Sequence, residues 1–380
     1  MLAPADYLRV LSDSGVTFYT GVPDSLLKEF CACVTSTMKP QDHVIAANEG
    51  ASVGLAIGHY IGTGSLPLVY LQNSGLGNTV NPLLSLASTE VYGIPMLLMV
   101  GWRGEPGIKD EPQHVHQGRV MVQMLEDMDV PFVVLSDDIA TAKIQTQEAA
   151  KQAHEIKGPV AILVRKNTFD EYAHSKVKAD LPMGREEAII AAAETLEDNA
   201  AVICTTGMPS RELFEYRARG GAGHHRDFLT VGGMGHASQI ALGLAMAQPS
   251  RPVYCFDGDG AALMHMGSMA IIGQSSVKNL IHLVFNNGVH GSVGGQPTVG
   301  LNIDMPQIAL ACGYATSQRV ITIDELKNAI SAAHMAEGVG FIEVQVRPGN
   351  RADIGRPTST PSQNKRAMMK FLRGETCNND

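Results

Sequence analysis

Short aliphatic and β-branched runs alternate with amphipathic stretches along this chain, and that alternation predicts parallel strands covered on both faces by helices. In the first half the strand-like runs fall at 16–19, 43–47, 67–72, 94–101, 131–135 and 159–165. After the first of them, 25–34 carries a helical stripe of Leu26, Leu27, Phe30, Cys31 and Val34, with Ser25 placed to cap its free amides. The longer helical stretch 138–156 is polar on one side and belongs outside the sheet.

The alternation lapses at 167–185, NTFDEYAHSKVKADLPMGR, and then resumes. A second series of strand-like runs follows at 201–204, 228–231, 253–256, 280–285, 315–320 and 341–346. Thr322 to Glu325 read as a capping box that opens a helix reaching about Ala336. The polar lapse is the natural boundary. It gives a first domain at 1–170, a linker at 171–184, a second domain at 185–350, and a Pro-rich, basic tail at 351–380 that turns helical before a disordered end. The halves share an architecture without a visible sequence repeat.

Composition narrows the function classes. The 380 residues are enough for two cores, and 44% hydrophobic with 18% charged residues argues against disorder. A net charge of −9 excludes a general nucleic-acid footprint, so an anionic ligand must be met by a local cluster. No apolar run is long enough for a membrane span, and 1–13 lacks the features of a signal peptide. The six cysteines form no CxxC pair and sit mostly in apolar segments, as reduced, buried thiols of a cytoplasmic protein do.

Ligands of open parallel sheets bind at the carboxyl ends of strands. Two such loops stand out. After Phe256 come Asp257, Gly258, Asp259, Gly260, Ala261 and Ala262, where glycines let the backbone approach a phosphate and a following helix offers free amides. After Phe285 come Asn286, Asn287 and Gly288. The Asp259 carboxylate and the Asn287 amide oxygen, with a backbone carbonyl, are hard oxygen ligands suited to Mg²⁺ shared with a diphosphate. A bare Gly-Asp-Gly is a common turn. Followed by a helix, a strand and paired asparagines at this separation, it resembles the signature of the thiamine diphosphate-dependent decarboxylases, synthases and transketolases.

The resemblance implies two doubly wound parallel-sheet α/β domains, pyrimidine-binding then diphosphate-binding, with thiamine diphosphate and Mg²⁺ as cofactors. It implies an activating carboxylate in the first domain, and Glu49 in AANEGASVGLAIGHYIGTG fits, although an acidic residue also favours a helix N-terminus for its own sake. The Gly232 carbonyl and the bulk of Met234 then hold the cofactor in its bent form, and Gly258, Gly260 and Ala261 give it backbone amides. Val289 adds a carbonyl to the metal ligands Asp259 and Asn287. Thr206 and Gly207 take the diphosphate, a place that ordinary helix capping explains equally well. Asn73 and Ser25, at strand ends, face the thiazolium and substrate. The site is shared between subunits in such enzymes, which implies a homodimer or a dimer of dimers. Two other classes stay open. The segment GMGHAS, with Asp257 downstream, approximates a dinucleotide fingerprint and a nicotinamide-linked oxidoreductase, but leaves Glu49 and the paired asparagines unexplained. A non-catalytic cofactor-binding subunit is the third class.

Most relatives that decarboxylate 2-oxo acids carry a middle domain, for which this linker has no room. The stretches TGVPDSLLKEF, NSGLGNTVNPLLSLAS, GWRGEPGIKDEPQHVHQG and GRPTSTPSQNK resemble the compact two-domain members instead. Their small-molecule substrates are 2-oxo acids, a pyruvate bearing a strong anion at C3. The loop after 94–101 offers Arg103 and Lys109 for that anion, unless it is only a solvated charged loop. Arg351 and Arg356 in the tail are lid candidates for the same anion. His114, His116 and Asp24 are the candidate proton donors. His290 relays a proton or caps its turn, His236 and His265 pack helices, and the histidines lack the three-ligand spacing of a zinc site.

Overall fold

The computed structural model describes residues 1–173, 178–221 and 223–375. Part of the expected linker at 171–184, Cys377 and the end of the tail lie outside them. The chain forms two compact units, Met1–Lys176 with Ser292–Gln296, and Val177–Gly291 with Pro297–Asp380.

The first unit holds six parallel strands, β1 (Val16–Gly21), β2 (His43–Ile45), β3 (Leu66–Gln72), β4 (Met96–Gly101), β5 (Phe132–Val134) and β6 (Pro159–Val164), in the order β2-β1-β3-β4-β6-β5. Each lies where the alternation placed it, with ends shifted by a residue or two. Strands β4 and β6 are buried along their whole length, which is why they read as continuous apolar runs. Leu11, Phe30, Tyr70 and Ile162 pack one face of the sheet, and Val53, Leu71, Leu98 and Leu125 the other. The helix Ile139–Ile156 starts where Asp138 accepts the Thr141 amide at 2.9 Å.

The helix expected from Ser25 begins later, at Lys28, with Leu27 at its N-cap and no side-chain cap. Asp24 ties down the turn before it by accepting the Leu26 amide at 2.9 Å, while the Ser25 hydroxyl is taken up by Arg103 at 2.7 Å. Ser25 is therefore turned toward the next strand end rather than toward its own helix.

The second unit repeats the architecture with β7 (Ala201–Cys204), β8 (Asp227–Leu229), β9 (Val253–Gly258), β10 (Leu280–Asn286), β11 (Thr316–Val320) and β12 (Gly340–Gln345), ordered β11-β12-β10-β9-β7-β8. Strands β9 and β10 are neighbours, with Gly258 opposite Phe285, so both motif loops leave the sheet side by side. Thr322 and Glu325 form the expected capping box, for a helix Ile323–His334. The tail carries the helix Pro361–Leu372. Its Asn364 accepts the Leu229 amide at 3.0 Å and donates to the Asp227 carbonyl at 2.7 Å, closing the outer edge of β8.

Both units are thus α/β with a fully parallel six-stranded sheet. Among the described residues no helix is long and apolar enough to cross a membrane. The five described cysteines are free thiols, and only Cys312 of them is not buried.

Candidate functional site

In the second unit β9 runs directly into a short helix, Asp259–Met264, and β10 ends on Asn286. Asp259 is 3% exposed, and its carboxylate accepts from the Thr298 hydroxyl and the Asn287 backbone amide. Burial pushes it up to about 6, and no lysine or arginine of the described residues pairs with it. A buried carboxylate without a countercharge fits a cation, and its oxygen-rich surroundings fit a hard one.

The two asparagines do different jobs. Asn286 is fully buried, donates to Glu343 at 2.7 Å and accepts the Gly288 amide at 3.1 Å, which anchors the loop to β12. Asn287 accepts the Val289 amide at 3.1 Å, and the Val289 carbonyl accepts from Gly291 at 3.0 Å. Asn287 is the one whose backbone reaches Asp259.

Two further loops leave the same edge of the sheet. After β8, Gly235 has a positive φ of 84° and lies so close to the helix Asp259–Met264 that a Cβ there would fall 3.1 Å from the Ala261 carbonyl and 2.5 Å from the His265 ring. That approach brings the Gly232 and Met234 loop to the Asp259 helix. After β7, Gly207 begins the helix Met208–Arg219 without any side-chain cap, so capping does not account for Thr206. His290 lies against Gly260 and is held near 4 by burial, hence neutral at pH 7. His236 and His265 stack edge to face at 4.7 Å.

The dinucleotide reading fails on topology. GMGHAS follows β8, at the edge of the sheet, and Asp257 is the penultimate residue of β9, which is not its neighbour. Asp257 is fully buried and accepts the Gly258 amide at 2.9 Å, with its other oxygen 3.4 Å from His282. It has no reach to a ribose. Cys255, Asp257 and His282 come within 4.8 Å of one another, a buried group hidden from sequence spacing because it is assembled across two strands.

In the first unit Glu49 opens the helix Glu49–Thr63, behind an Asn48 cap that accepts the Ala51 amide at 2.9 Å. The Glu49 side chain is buried, accepts from Asn78 at 2.7 Å, and is pressed by Gly75, where a Cβ would lie 2.2 Å from Oε1. Burial raises its pKa and the Asn78 bond partly offsets that. The result is a carboxyl group suited to holding a proton nearer neutrality than a surface glutamate.

The ends of β1, β3 and β4 assemble a second group. Arg103 donates to Ser25 at 2.7 Å and grips Asp110 with two nitrogens, one at 2.8 Å. Asn73 donates to the Arg103 carbonyl at 2.7 Å and accepts its amide at 3.3 Å, so the Asn73 side chain fixes the loop after β4. Asp24 is fully buried behind Ser25 and is pushed up to about 6 by burial, against the pull of Arg103. His114 is lowered to about 4 by burial and by Arg103, and its Nδ1 has no partner among the described residues. His116 is exposed on the same helix, with Arg119 donating to its Nδ1 at 2.9 Å. Lys109 and Lys166 both line a cavity here.

The two tail arginines have different surroundings. Arg351 pairs with Glu186 at 3.0 Å, with Asp353 at 2.9 Å and with Glu215, all in the second unit. Three carboxylates saturate its guanidinium, so a lid role for Arg351 would require exchanging these partners. Arg356 is exposed in the segment before the tail helix.

Residues 205–344 match the family model of the thiamine pyrophosphate enzyme C-terminal TPP binding domain, and residues 5–128 that of the N-terminal TPP binding domain. Over 98% of its length the chain is 36% identical to a phosphonopyruvate decarboxylase of Streptomyces viridochromogenes, covering 95% of that protein. The chain belongs to the thiamine pyrophosphate enzyme family. A phosphonopyruvate decarboxylase of Streptomyces hygroscopicus is 34% identical over 98% of this chain and 94% of its own. A sulfopyruvate decarboxylase of Methanosarcina acetivorans is 27% identical over 94% and 95%. This thiamine pyrophosphate enzyme is a decarboxylase, a carboxy-lyase. Its N-terminal match contains Asp24, Glu49, Asn73, Arg103, His114 and His116, and its C-terminal match contains Asp259 and Asn287.

Sequence reasoning missed Asn78, Thr298 and Lys166. Nothing in the spacing marks Thr298, which reaches Asp259 from 39 positions away. Asn78 had a weak signal, a polar residue repeating in NSGLGN after a buried strand.

Proposed function

We propose that this enzyme decarboxylates 3-phosphonopyruvate to phosphonoacetaldehyde and CO₂, with thiamine diphosphate and Mg²⁺, in the making of compounds with a carbon–phosphorus bond. The observation that carries the reading is the likeness to two phosphonopyruvate decarboxylases along nearly the whole of both chains. A sulfopyruvate decarboxylase is the second reading, favoured by a relative of lower identity but similar coverage.

Thiamine diphosphate, when bound, supplies the electron sink that accepts the pair left as CO₂ departs. The protein's share is to place, shield and protonate. Residues 1–170 act as the pyrimidine-binding domain, in which Glu49 exchanges the activating proton. Residues 185–350 act as the diphosphate-binding domain. There Asp259, Asn287 and the Val289 carbonyl would hold Mg²⁺, while Gly258, Gly260 and Ala261, with Thr206 and Gly207, would take the diphosphate. Gly232 and Met234 support the cofactor's shape.

Asp24 is the preferred proton donor. Held at about 6, it regains a proton readily near neutral pH, and the Ser25 hydroxyl 3.5 Å away connects it to the cavity. His114 is neutral at that pH and holds no proton to spare beyond one N–H. His116 faces solvent.

The enzyme acts in the cytoplasm as a homo-oligomer, a homodimer or dimer of dimers. The free thiols of its five described cysteines support the first point, and the site shared between subunits in thiamine pyrophosphate enzymes supports the second.

The test is CO₂ release by protein stripped with a chelator and then given thiamine diphosphate and Mg²⁺, with phosphonopyruvate and sulfopyruvate in parallel. Turnover of phosphonopyruvate with the larger kcat/KM is expected. Faster turnover of sulfopyruvate would transfer the assignment to the second reading, and turnover of neither would end both.

A further inference from the structure

We propose that Lys109 and Lys166 form a two-charge anion subsite that favours a dianionic phosphonate over a monoanionic sulfonate. The inference rests on the decarboxylase reading above and adds the residues and the charge count that set its substrate preference.

The cavity in question has a volume of about 210 Å³ and belongs wholly to the first unit. It opens at the carboxyl ends of β1, β4 and β6, the edge at which parallel sheets bind ligands. Its charged lining is Arg103, Glu105, Lys109, Asp110 and Lys166.

Most of that charge cancels within the wall. Arg103 and Asp110 form a two-nitrogen pair, and the remaining Arg103 nitrogen donates to Ser25. Glu105 is paired with Arg165 at 2.7 Å, and Arg165 in turn lies over the Trp102 ring at 5.9 Å. Asp24 is shut in behind Ser25 and does not line the cavity. Lys109 and Lys166 are left, and no carboxylate of the described residues forms an ion pair with either.

Arg103 is therefore a positioning residue. Its planar fork is already matched by a carboxylate, and it holds Ser25 and the loop after β4 in place. The two lysines are compact charges on flexible stems, free to close on a tetrahedral group from two sides. A phosphonate carries up to two negative charges near neutral pH, as a phosphate monoester does, whereas a sulfonate carries one. Two uncancelled lysines match the first.

The test uses the full-length protein with Lys109→Met, Lys166→Met and both together, with the lysine-to-arginine pair as the charge-keeping control. Calorimetric titration of phosphonoacetate, which has the anion but no 2-oxo group to react, reads the subsite with and without thiamine diphosphate. Each methionine should weaken phosphonoacetate binding about ten-fold, as the loss of one charge-assisted hydrogen bond does, and arginine should restore most of it. In turnover, the ratio of kcat/KM for phosphonopyruvate to that for sulfopyruvate should fall, mainly through KM. Unchanged phosphonoacetate affinity in the double variant, or an unchanged ratio, overturns the subsite. A wild-type enzyme that binds phosphonoacetate through these lysines yet releases no CO₂ from phosphonopyruvate overturns the functional reading and leaves the subsite standing.

Discussion

Asn78 donates a 2.7 Å hydrogen bond to the buried Glu49 carboxyl, so the group proposed to trade a proton in the first unit is held in one orientation. Burial favours its protonated form and raises its pKa, and the Asn78 bond offsets part of that rise. Replacing Glu49 with Gln preserves shape and the contact to Asn78 but removes the exchangeable proton. Decarboxylation should fall by about 10²–10⁴, the usual worth of a placed acid or base. Thermal stability should hold or rise. Steady-state CO₂ release and a melting curve check both, and a fully active Glu49→Gln enzyme would take Glu49 out of the chemistry.

Gly75 makes a second, steric claim on the same carboxyl. A Cβ there would lie 2.2 Å from Glu49 Oε1 and 2.5 Å from its Cδ, too close for either atom to stay. Gly75→Ala should cost about 1–3 kcal/mol as an overpacked site and should lower kcat by displacing the carboxyl. Adding Glu49→Ala should return the stability but not the activity, a coupling that a double-mutant cycle by denaturant unfolding measures. Purely additive losses would mean the two residues do not meet as described.

How much of this could be seen in the sequence follows from what kind of signal each part leaves. All twelve strands were legible, the central β4, β6 and β10 as continuous apolar runs because both faces are buried, and the polar β11 only from its place in the alternation. Asp259 and Asn287 were legible because strand, turn and helix fix their spacing. The start of the helix at Lys28 was not, since Ser25 looks like a cap until Arg103, 78 positions on, claims its hydroxyl. The pairing of the lid candidate Arg351 is hidden for the same reason. Its carboxylates Glu186 and Glu215 are distant in sequence, and only the fold brings them to it.

Asp24 should leave a mark on the pH dependence of stability. Burial raises its folded-state pKa to about 6 from the ordinary 3.8, so the folded protein binds this proton more tightly than the unfolded chain does. The contribution is therefore complete below the unfolded value and is lost as pH rises through the folded one. The loss is on the order of 3 kcal/mol at most, since each pKa unit is worth about 1.4 kcal/mol. Asp24→Asn can still accept the Leu26 amide but does not ionise. The Tm of the variant relative to the parent should accordingly rise between pH 4.5 and pH 7. A difference that stays flat or shrinks over that range would show that Asp24 is not buried as an acid.

Asp259 should separate stability from function most sharply. Its carboxylate is buried with a hydroxyl and backbone amides for company and no countercharge among the described residues, so in metal-free protein at pH 7 its charge opposes folding. Asp259→Asn removes that charge and keeps the volume. The metal-free variant should melt at or above the temperature of the metal-free parent. Mg²⁺ with thiamine diphosphate should raise the Tm of the parent, by an amount that grows with ligand concentration as linkage requires, and should not move the variant. Chelator should abolish CO₂ release by the parent, with Mg²⁺ restoring it, while the variant stays inactive throughout. A variant that is stabilised by Mg²⁺ and the cofactor as much as the parent would place the metal on other ligands. One that melts well below the metal-free parent would mean that Asp259 is a structural residue whose bonds to Thr298 and Asn287 outweigh its buried charge.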